Sequence, residues 1–260
     1  MSLDGKKVVL TGGSGGIGRH LAAHFVGAGA NLAVLSRNRR EPDGSRHLQA
    51  DLSTFEGIAA AQMIVAREEP DILVNLAGVQ YFGLIEDQPL DGLSKSYLIN
   101  LVAPVGLCQA CLPAMKRRNF GQIVNVGSVF GSIPFAHFAA YSSAKAGLKA
   151  FSEALRRELV DTDVSVTHVS PRAARTDFIT PDIQKYAQLT RMTIDDPVTV
   201  AGKIFLAIKH RRKEVCIGVP ERIFSRLNAV VPRLVDAAVA RNDRRSKQLF
   251  SVSIPQRRTR

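Results

Sequence analysis

The sequence has 260 residues, 45% of them hydrophobic and 22% charged, which suffices for one sizeable buried core. This composition excludes collagen-like, low-complexity and wholly disordered proteins. Lysine and arginine outnumber aspartate and glutamate by 35 to 23, a formal net charge of +12. Neither a secretion signal nor an apolar run of roughly 18–20 residues, the length that spans a bilayer, is visible. We therefore expect one cytoplasmic domain without a transmembrane segment.

Apolar runs and helix-length stretches alternate along the chain. The first strand, Lys6 to Leu10, meets a glycine cluster, and the helix after it ends at Gly27 to Gly29. Only about eleven residues, rich in turn formers, separate Leu35 from the next strand near His47 to Ala50, so this crossover helix is expected to be truncated. The alternation predicts an α/β fold, a doubly wound parallel sheet with helices on both faces and a ligand crevice at the carboxyl ends of the strands. Further strands are expected at residues 31–35, 71–75, 122–126, 164–169 and 214–217.

The first strand ends in the turn Thr11-Gly-Gly-Ser-Gly-Gly-Ile-Gly18. Glycines between a strand and a helix let a pyrophosphate approach the backbone at the positive end of the helix. A purely structural turn is the alternative. The dinucleotide-binding interpretation assigns cofactor contacts to Gly12, Ser14, Gly15, Gly16, Ile17 and Gly18.

The second strand leads into Ser36, Arg37 and Asn38, where many dinucleotide folds carry a carboxylate for the ribose 2′-hydroxyl. An arginine binds a 2′-phosphate through charge-assisted hydrogen bonds, whereas an acid would repel it. These three residues therefore favour NADP(H) over NAD(H), unless Arg37 is only a surface residue.

Tyr141 and Lys145 are four residues apart at the start of a predicted helix, a spacing that puts both side chains on one face. A nearby ammonium is expected to lower the phenol pKa and make it an acid or base near neutrality. Ser128, at the end of a strand, would hydrogen-bond the substrate oxygen. A Tyr-x-x-x-Lys pair alone also arises by chance on helix surfaces.

Together these motifs resemble the short-chain dehydrogenase/reductase family. The matching residues are Thr11-Gly12-xxx-Gly16-x-Gly18, Asn75-Leu-Ala-Gly78, Asn100, Ser128, Tyr141 and Lys145, within about residues 4–218. The resemblance implies a single Rossmann-like domain and a Ser-Tyr-Lys-Asn catalytic set. It also implies that Lys145 and Tyr141 contact the cofactor and that Asn100 holds a water linking Lys145 to solvent. Further implied cofactor contacts are Asp51, Leu52, Asn75, Ala77, Gly78, Pro171 and Thr176.

Two of these residues have simpler alternatives, and the sequence departs from the family pattern mainly at Arg172 and, to a smaller extent, at Leu76. Asn100 could merely cap or bend its helix, and Asp51 could be a loop or cap residue. Arg172 follows Pro171 where the family has glycine. It could change the loop conformation, or reach a phosphate or an acidic substrate.

Residues 177–196 stand where the family's lid over the substrate is usually inserted. Apolar side chains between Ser128 and Tyr141 either line a lipophilic pocket or belong to the core; they are Phe130, Ile133, Phe135 and Phe138. The three cysteines form no disulfide framework, and we expect Cys108 and Cys111 to be buried, inert thiols and not ligands of a metal.

After the catalytic domain, residues 1–219, a basic amphipathic helical extension is expected over 220–260, whose last residues could be disordered. The extension could pack on its own domain or a second subunit, or contact a peripheral membrane surface or an acidic carrier protein. Proteins that bind single-stranded nucleic acids combine basic residues with aromatic side chains on which the bases stack. Phe250 is the one aromatic residue among the arginines of residues 241–260, so nucleic-acid binding is not expected.

The function predicted from all these features is NADP(H)-dependent interconversion of a carbonyl and a secondary alcohol, on a lipophilic ketone, 3-oxoacyl or steroid-like substrate. By the resemblance, the protein is expected to form a homodimer or homotetramer. The alternative is a catalytically silent NADP-binding regulatory protein on the same fold.

Overall fold

Seven parallel strands form one sheet in the order β3-β2-β1-β4-β5-β6-β7. The computed structural model describes residues 1–39 and 43–250. The order reverses between β1 and β4, and at such a point two connections leave the sheet in opposite directions and open a crevice. The strands are β1 (Lys7–Thr11), β2 (Asn31–Ser36), β3 (Arg46–Gln49), β4 (Ile72–Asn75), β5 (Gly121–Val126), β6 (Val164–Ser170) and β7 (Glu214–Cys216).

Helices connect most of the successive strands and cover both faces of the sheet, and the last two described helices follow the last strand. Two buried apolar clusters lie on opposite faces, one around α1 and α7 and the other around α2 and α4. The helices are α1 (Gly16–Gly27), α2 (Phe55–Glu68), α3 (Leu90–Tyr97), α4 (Ala103–Arg117), α5 (Ala139–Glu158), α6 (Pro181–Thr190), α7 (Pro197–Lys209), α8 (Val219–Val230) and α9 (Pro232–Ser246).

The predicted fold class is confirmed: the structure is a Rossmann-like parallel sheet with flanking helices. Each predicted strand is present, with ends that differ by at most one residue. The sequence predicts a truncated helix between β2 and β3, and the described part of this connection contains no helix.

A π-helical turn, Leu98–Val102, joins α3 to α4, so the helical stretch Leu90–Arg117 is continuous. Among the described residues this is the one stretch long and apolar enough to cross a membrane by length and composition alone. Half of its most apolar window is buried within the domain, and α4 packs against α2. Cys108 and Cys111 are among its buried residues, as predicted.

Candidate active site

The glycine turn after β1 is closely packed, and all of its glycines except Gly15 lack room for a side chain. Gly12 has a positive φ of 71°, and a Cβ there would lie 2.8 Å from the backbone of Ala77. A Cβ on Gly18 would lie 2.0 Å from the carbonyl oxygen of Gly12. Thr11 fixes the neighbouring loop, because its hydroxyl accepts hydrogen bonds from the amides of Leu76 and Ala77. The turn therefore leaves a cradle of backbone amides at the start of α1, which fits a pyrophosphate.

A cleft runs from this turn along the carboxyl ends of the strands. Most of the predicted cofactor contacts line it: Gly12, Ser14, Gly15, Gly16, Ile17, Gly18, Ser36, Arg37, Asn38, Asp51, Leu52, Ala77, Gly78 and Thr176. Asn75 does not: its amide lies beneath the cleft, is 2% exposed and donates to Oδ1 of Asn125 at 2.9 Å. The prediction that Asn75 lines the cleft is therefore wrong, because its side chain points into the sheet.

Basic groups gather at the far end of the cleft, beside β2. The Ser36 hydroxyl lies 3.1 Å from Nε2 of His47 on β3. Arg37, Arg39 and His47 border a small adjoining pocket. Asp51, across the cleft, has a lowered pKa because Ser53 donates to its carboxylate and the Arg37 charge adds to the effect. This end of the cleft thus suits a phosphate, and sequence reasoning missed His47 because it belongs to the next strand.

The predicted acid–base residues line a second cavity that adjoins the cleft. Ser128 follows β5, and Tyr141 and Lys145 lie one turn apart near the start of α5. All three line this cavity, together with Pro171. The two cavities share Gly78 and Thr176, so a ligand in the cleft can reach the phenol. The structure brings together the residues that the resemblance assigns to catalysis.

Asn100 lies in the π-helical turn and is completely buried. Its amide donates to the carbonyls of Ser96 at 2.8 Å and Val79 at 2.7 Å. A Cβ added at Gly78 would lie 2.9 Å from Oδ1 of Asn100 and 3.7 Å from Nζ of Lys145, so the missing side chain lets both groups face one space. Single π turns often mark functional sites, and here the turn carries Asn100, whose Oδ1 also accepts from the amide of Val79 at 3.3 Å.

Burial dominates the electrostatics of the phenol and the ammonium. It raises the pKa of Tyr141 to about 12, against the opposing hydrogen bond from Ser128. It lowers the pKa of Lys145 to about 8. The Lys145 ammonium donates to the Val126 carbonyl at 3.0 Å and stands 5.8 Å from the centre of the Tyr141 ring. The expected lowering of the Tyr141 pKa is therefore not found in this structure, and the phenol keeps its proton at neutral pH.

The lowered pKa of Lys145 predicts how cofactor affinity depends on pH. Below about pH 8 its side chain is a cation that can hold a ribose hydroxyl, and above that value it becomes neutral. We expect NADPH affinity, measured by fluorescence titration, to fall as pH rises through about 8. Lys145→Met should bind more weakly and lose this dependence. An equal fall in that variant would assign the titration to another group.

The second cavity is mostly apolar, as small-molecule sites usually are. Phe130 and Phe138 line it, whereas Ile133 and Phe135 are packed outside it. Residues from the predicted lid, 177–196, close one side, and this segment contains α6. The lining residues from the lid are Phe178, Ile179, Ile183 and Met192.

Arg172, whose role the sequence left open, binds carboxylates of its own chain. Its guanidinium forms two hydrogen bonds of 2.8 Å to Asp195, at the end of the lid segment. Its third nitrogen lies 3.3 Å from Glu221 in α8. Asp195 also pairs with the loop backbone beside Ala174. Arg172 therefore joins the loop after β6, the end of the lid and the C-terminal extension.

Loss of this link should loosen the lid. We expect Arg172→Ala to lower the melting temperature by about 2–6 °C, because it leaves two partly buried carboxylates without a cation. The exposed Arg175→Ala, three residues on, is the matched control and should change it little. Equal shifts in both variants would show that the link adds nothing to stability.

A network of buried, hydrogen-bonded polar side chains beneath the site was also not predicted from the sequence. The side chain of Asn125 accepts from Asn75 and donates to Ser152 at 2.9 Å. The Ser152 hydroxyl lies 3.3 Å from Nδ1 of His168. Burial lowers the pKa of His168 to about 3, so its ring is neutral. This network joins β4, β5, α5 and β6 beneath Tyr141 and Ser128. No local sequence motif indicates it, because its members come from distant parts of the sequence.

Sequence comparison agrees with this geometry. A family model described as short chain dehydrogenase matches residues 6–187. The rat protein dehydrogenase/reductase SDR family member 7B is 32% identical over 92% of this chain and 83% of its own length. A short chain dehydrogenase of the fungus Pseudocercospora fijiensis is 34% identical over 69% of this chain and 63% of its own.

Solved structures share the whole fold. A short-chain dehydrogenase from Streptomyces avermitilis is 27% identical and superposes with a TM-score of 0.76, over 93% of this chain and 98% of its own. A Burkholderia cenocepacia enzyme in complex with NADP has a TM-score of 0.78 at 19% identity, over 92% and 99% of the two chains. A 4-hydroxyisoleucine dehydrogenase complexed with NADH has a TM-score of 0.71 at 24% identity, over 82% and 96%.

Proposed function

The chain belongs to the short-chain dehydrogenase/reductase family and is an NAD(P)-dependent oxidoreductase, and from this premise we propose that it reduces a lipophilic carbonyl to a secondary alcohol with NADPH. The observation that carries the proposal is the apolar cavity in which Ser128, Tyr141 and Lys145 meet beside the glycine-lined cleft. A hydroxyl, a phenol and an ammonium in one mostly apolar site are suited to proton transfer to a carbonyl oxygen.

The nicotinamide, when bound, supplies the hydride. The side chains of the protein stabilise the charge on the substrate oxygen and donate a proton to it. The protonated Tyr141 hydroxyl donates its proton to the oxygen as negative charge develops there. Ser128 donates a hydrogen bond to the same oxygen and stabilises that charge. The Lys145 ammonium offsets the negative charge left on the phenolate. Asn100 is proposed to hold a water that links Lys145 to solvent, so that a proton can return to the phenolate. Reduction uses the phenol in its protonated form, and burial favours this form by raising the pKa of Tyr141 to about 12.

The preference for NADPH rests on charge at the adenosine end of the cleft. Arg37 lines the cleft after β2, where a carboxylate would otherwise accept from the ribose. Arg39 and His47 border the adjoining pocket. A 2′-phosphate placed there meets cations and hydroxyl donors, whereas the 2′-hydroxyl of NADH gains much less from the same groups.

The substrate class follows from the cavity walls. They are formed largely by aromatic and aliphatic side chains, including Phe130, Phe138 and the lid residues Ile183 and Met192. We include lipophilic ketones, 3-oxoacyl thioesters and steroid-like carbonyls in the proposal. The homodimer or homotetramer implied by the resemblance is part of it and is checked by light scattering.

A carbonyl panel tests the proposal. Purified protein with NADPH is given medium-chain ketones, 3-oxoacyl thioesters and steroids, and the loss of NADPH absorbance is followed. We expect oxidation with at least one apolar carbonyl and slower turnover with small polar ones. Tight NADPH binding without oxidation of any panel member would favour the silent regulatory protein instead.

A further inference from the structure

Helix α8 is attached to the domain by polar contacts. Glu221 pairs with Arg172, and Nδ2 of Asn228 donates to the Ser132 carbonyl at 2.9 Å. Together with Ser225 these residues occupy one side of the helix, at spacings of four and three, and all three are partly buried. The side of α8 that faces the domain is thus its polar side.

The opposite side of α8 is apolar and open to solvent. Four side chains at helical spacing form it: Val219, Ile223, Leu227 and Val230, which are 62%, 53%, 44% and 78% exposed. We call these four residues the α8 stripe. A surface helix normally buries its apolar side and exposes its polar one. The reversed orientation leaves a continuous apolar surface that needs a partner outside the domain.

Cationic side chains flank the α8 stripe. Arg222 and Arg226 are exposed beside it on the same helix. Helix α9 continues the surface with Leu234, which is 68% exposed. Exposed arginines lie near it on the outer side of α9: Arg233, Arg241 and Arg244. An apolar strip bordered by arginines is the pattern of a helix that lies in the headgroup region of a bilayer.

We propose that this surface docks on an anionic lipid bilayer, with the α8 stripe in the headgroup region and the flanking arginines on lipid phosphates. Charge decides between this partner and a second copy. If two such surfaces faced one another, their arginines would be brought together, and the chain already carries a net charge of +12. An anionic membrane surface attracts the same arginines.

Vesicle sedimentation tests the proposal with the full chain. We expect the protein to pellet with vesicles of phosphatidylcholine and phosphatidylserine, to stay in solution with phosphatidylcholine alone, and to be released by salt, which screens the arginines. The double variant Ile223→Asp/Leu227→Asp should bind the anionic vesicles roughly tenfold or more weakly, since two apolar side chains no longer insert.

The matched control introduces the same two acids at exposed apolar positions elsewhere, Met63→Asp/Val160→Asp, and should bind like the unmodified protein. NADPH binding by all forms shows that each is folded. The proposal is overturned if the unmodified protein stays in solution with anionic vesicles, or if both double variants bind equally. It is also overturned if the α8 variant only dissociates an oligomer, seen by light scattering, which would assign the stripe to a second copy.

Discussion

Replacement of Tyr141 by phenylalanine should abolish carbonyl reduction and leave cofactor binding nearly intact. The substitution removes the phenol hydroxyl that is proposed to donate the proton in the apolar cavity, and general acid catalysis contributes about 10²–10⁴ to a rate. We expect kcat/KM to fall by about a thousandfold, while NADPH titrates as before. The ring itself is buried, so its packing against Phe130 is retained.

Tyr97→Phe is the matched control for this experiment. Tyr97 lies on α3, and its hydroxyl contacts Ser143 at 2.7 Å on a partly exposed surface. The same chemical change there should leave kcat/KM within about twofold, because no reacting group is lost. A Tyr141→Phe enzyme that still turned over would overturn the assigned mechanism.

Replacement of Arg37 by leucine should weaken the binding of NADPH without weakening the binding of NADH. Hydrogen bonds between charged groups contribute about 1.5–3 kcal/mol, so NADPH affinity should fall by roughly ten- to a hundredfold. NADH affinity should change little, because its ribose hydroxyl does not need the cation. Fluorescence titrations with both cofactors measure the two effects on one protein sample.

Arg67→Leu removes the same charge at an exposed position of α2 and serves as the control. It should leave both affinities unchanged. If Arg37→Leu weakened NADPH and NADH equally, the residue would act on the shared part of the cofactor or on the loop. The preference for NADPH would then have to come from other groups at this end of the cleft.

The parts of the fold that are set by local pattern were predictable from the sequence. Strand and helix periods, together with the glycine turn, predict the parallel sheet and its crevice. The spacing of Tyr141 and Lys145 predicts one helix face, and both residues do line one cavity. These features depend on residues a few positions apart, where backbone geometry alone decides which side chains are neighbours.

Features that depend on distant contacts were not predictable. The partners of Arg172 lie 23 and 49 residues further along the chain, and no pattern near Pro171 points to them. The pKa of Tyr141 was expected to fall beside an ammonium. Instead it rises, since burial is a property of the folded site. The periodicity of α8 predicts an amphipathic helix, but not that its apolar side faces outward.

The link through Arg172 also relates the site to the proposed membrane surface. The same guanidinium contacts the end of the lid and the docked side of α8. Helix α9 packs against α6, which closes the apolar cavity. A lipophilic carbonyl would therefore meet the lid on the part of the domain that we expect near the bilayer.

The most direct test of the proposed reaction follows a label from cofactor to product. NADPH that carries deuterium at both positions of the hydride-donating carbon is incubated with the protein and the best carbonyl of the panel, and the alcohol is analysed by mass spectrometry. We expect deuterium on the carbinol carbon, with Tyr141→Phe giving none. An unlabelled alcohol, or bound NADPH that stays reduced with every carbonyl, would contradict the proposal that this site reduces a carbonyl with NADPH.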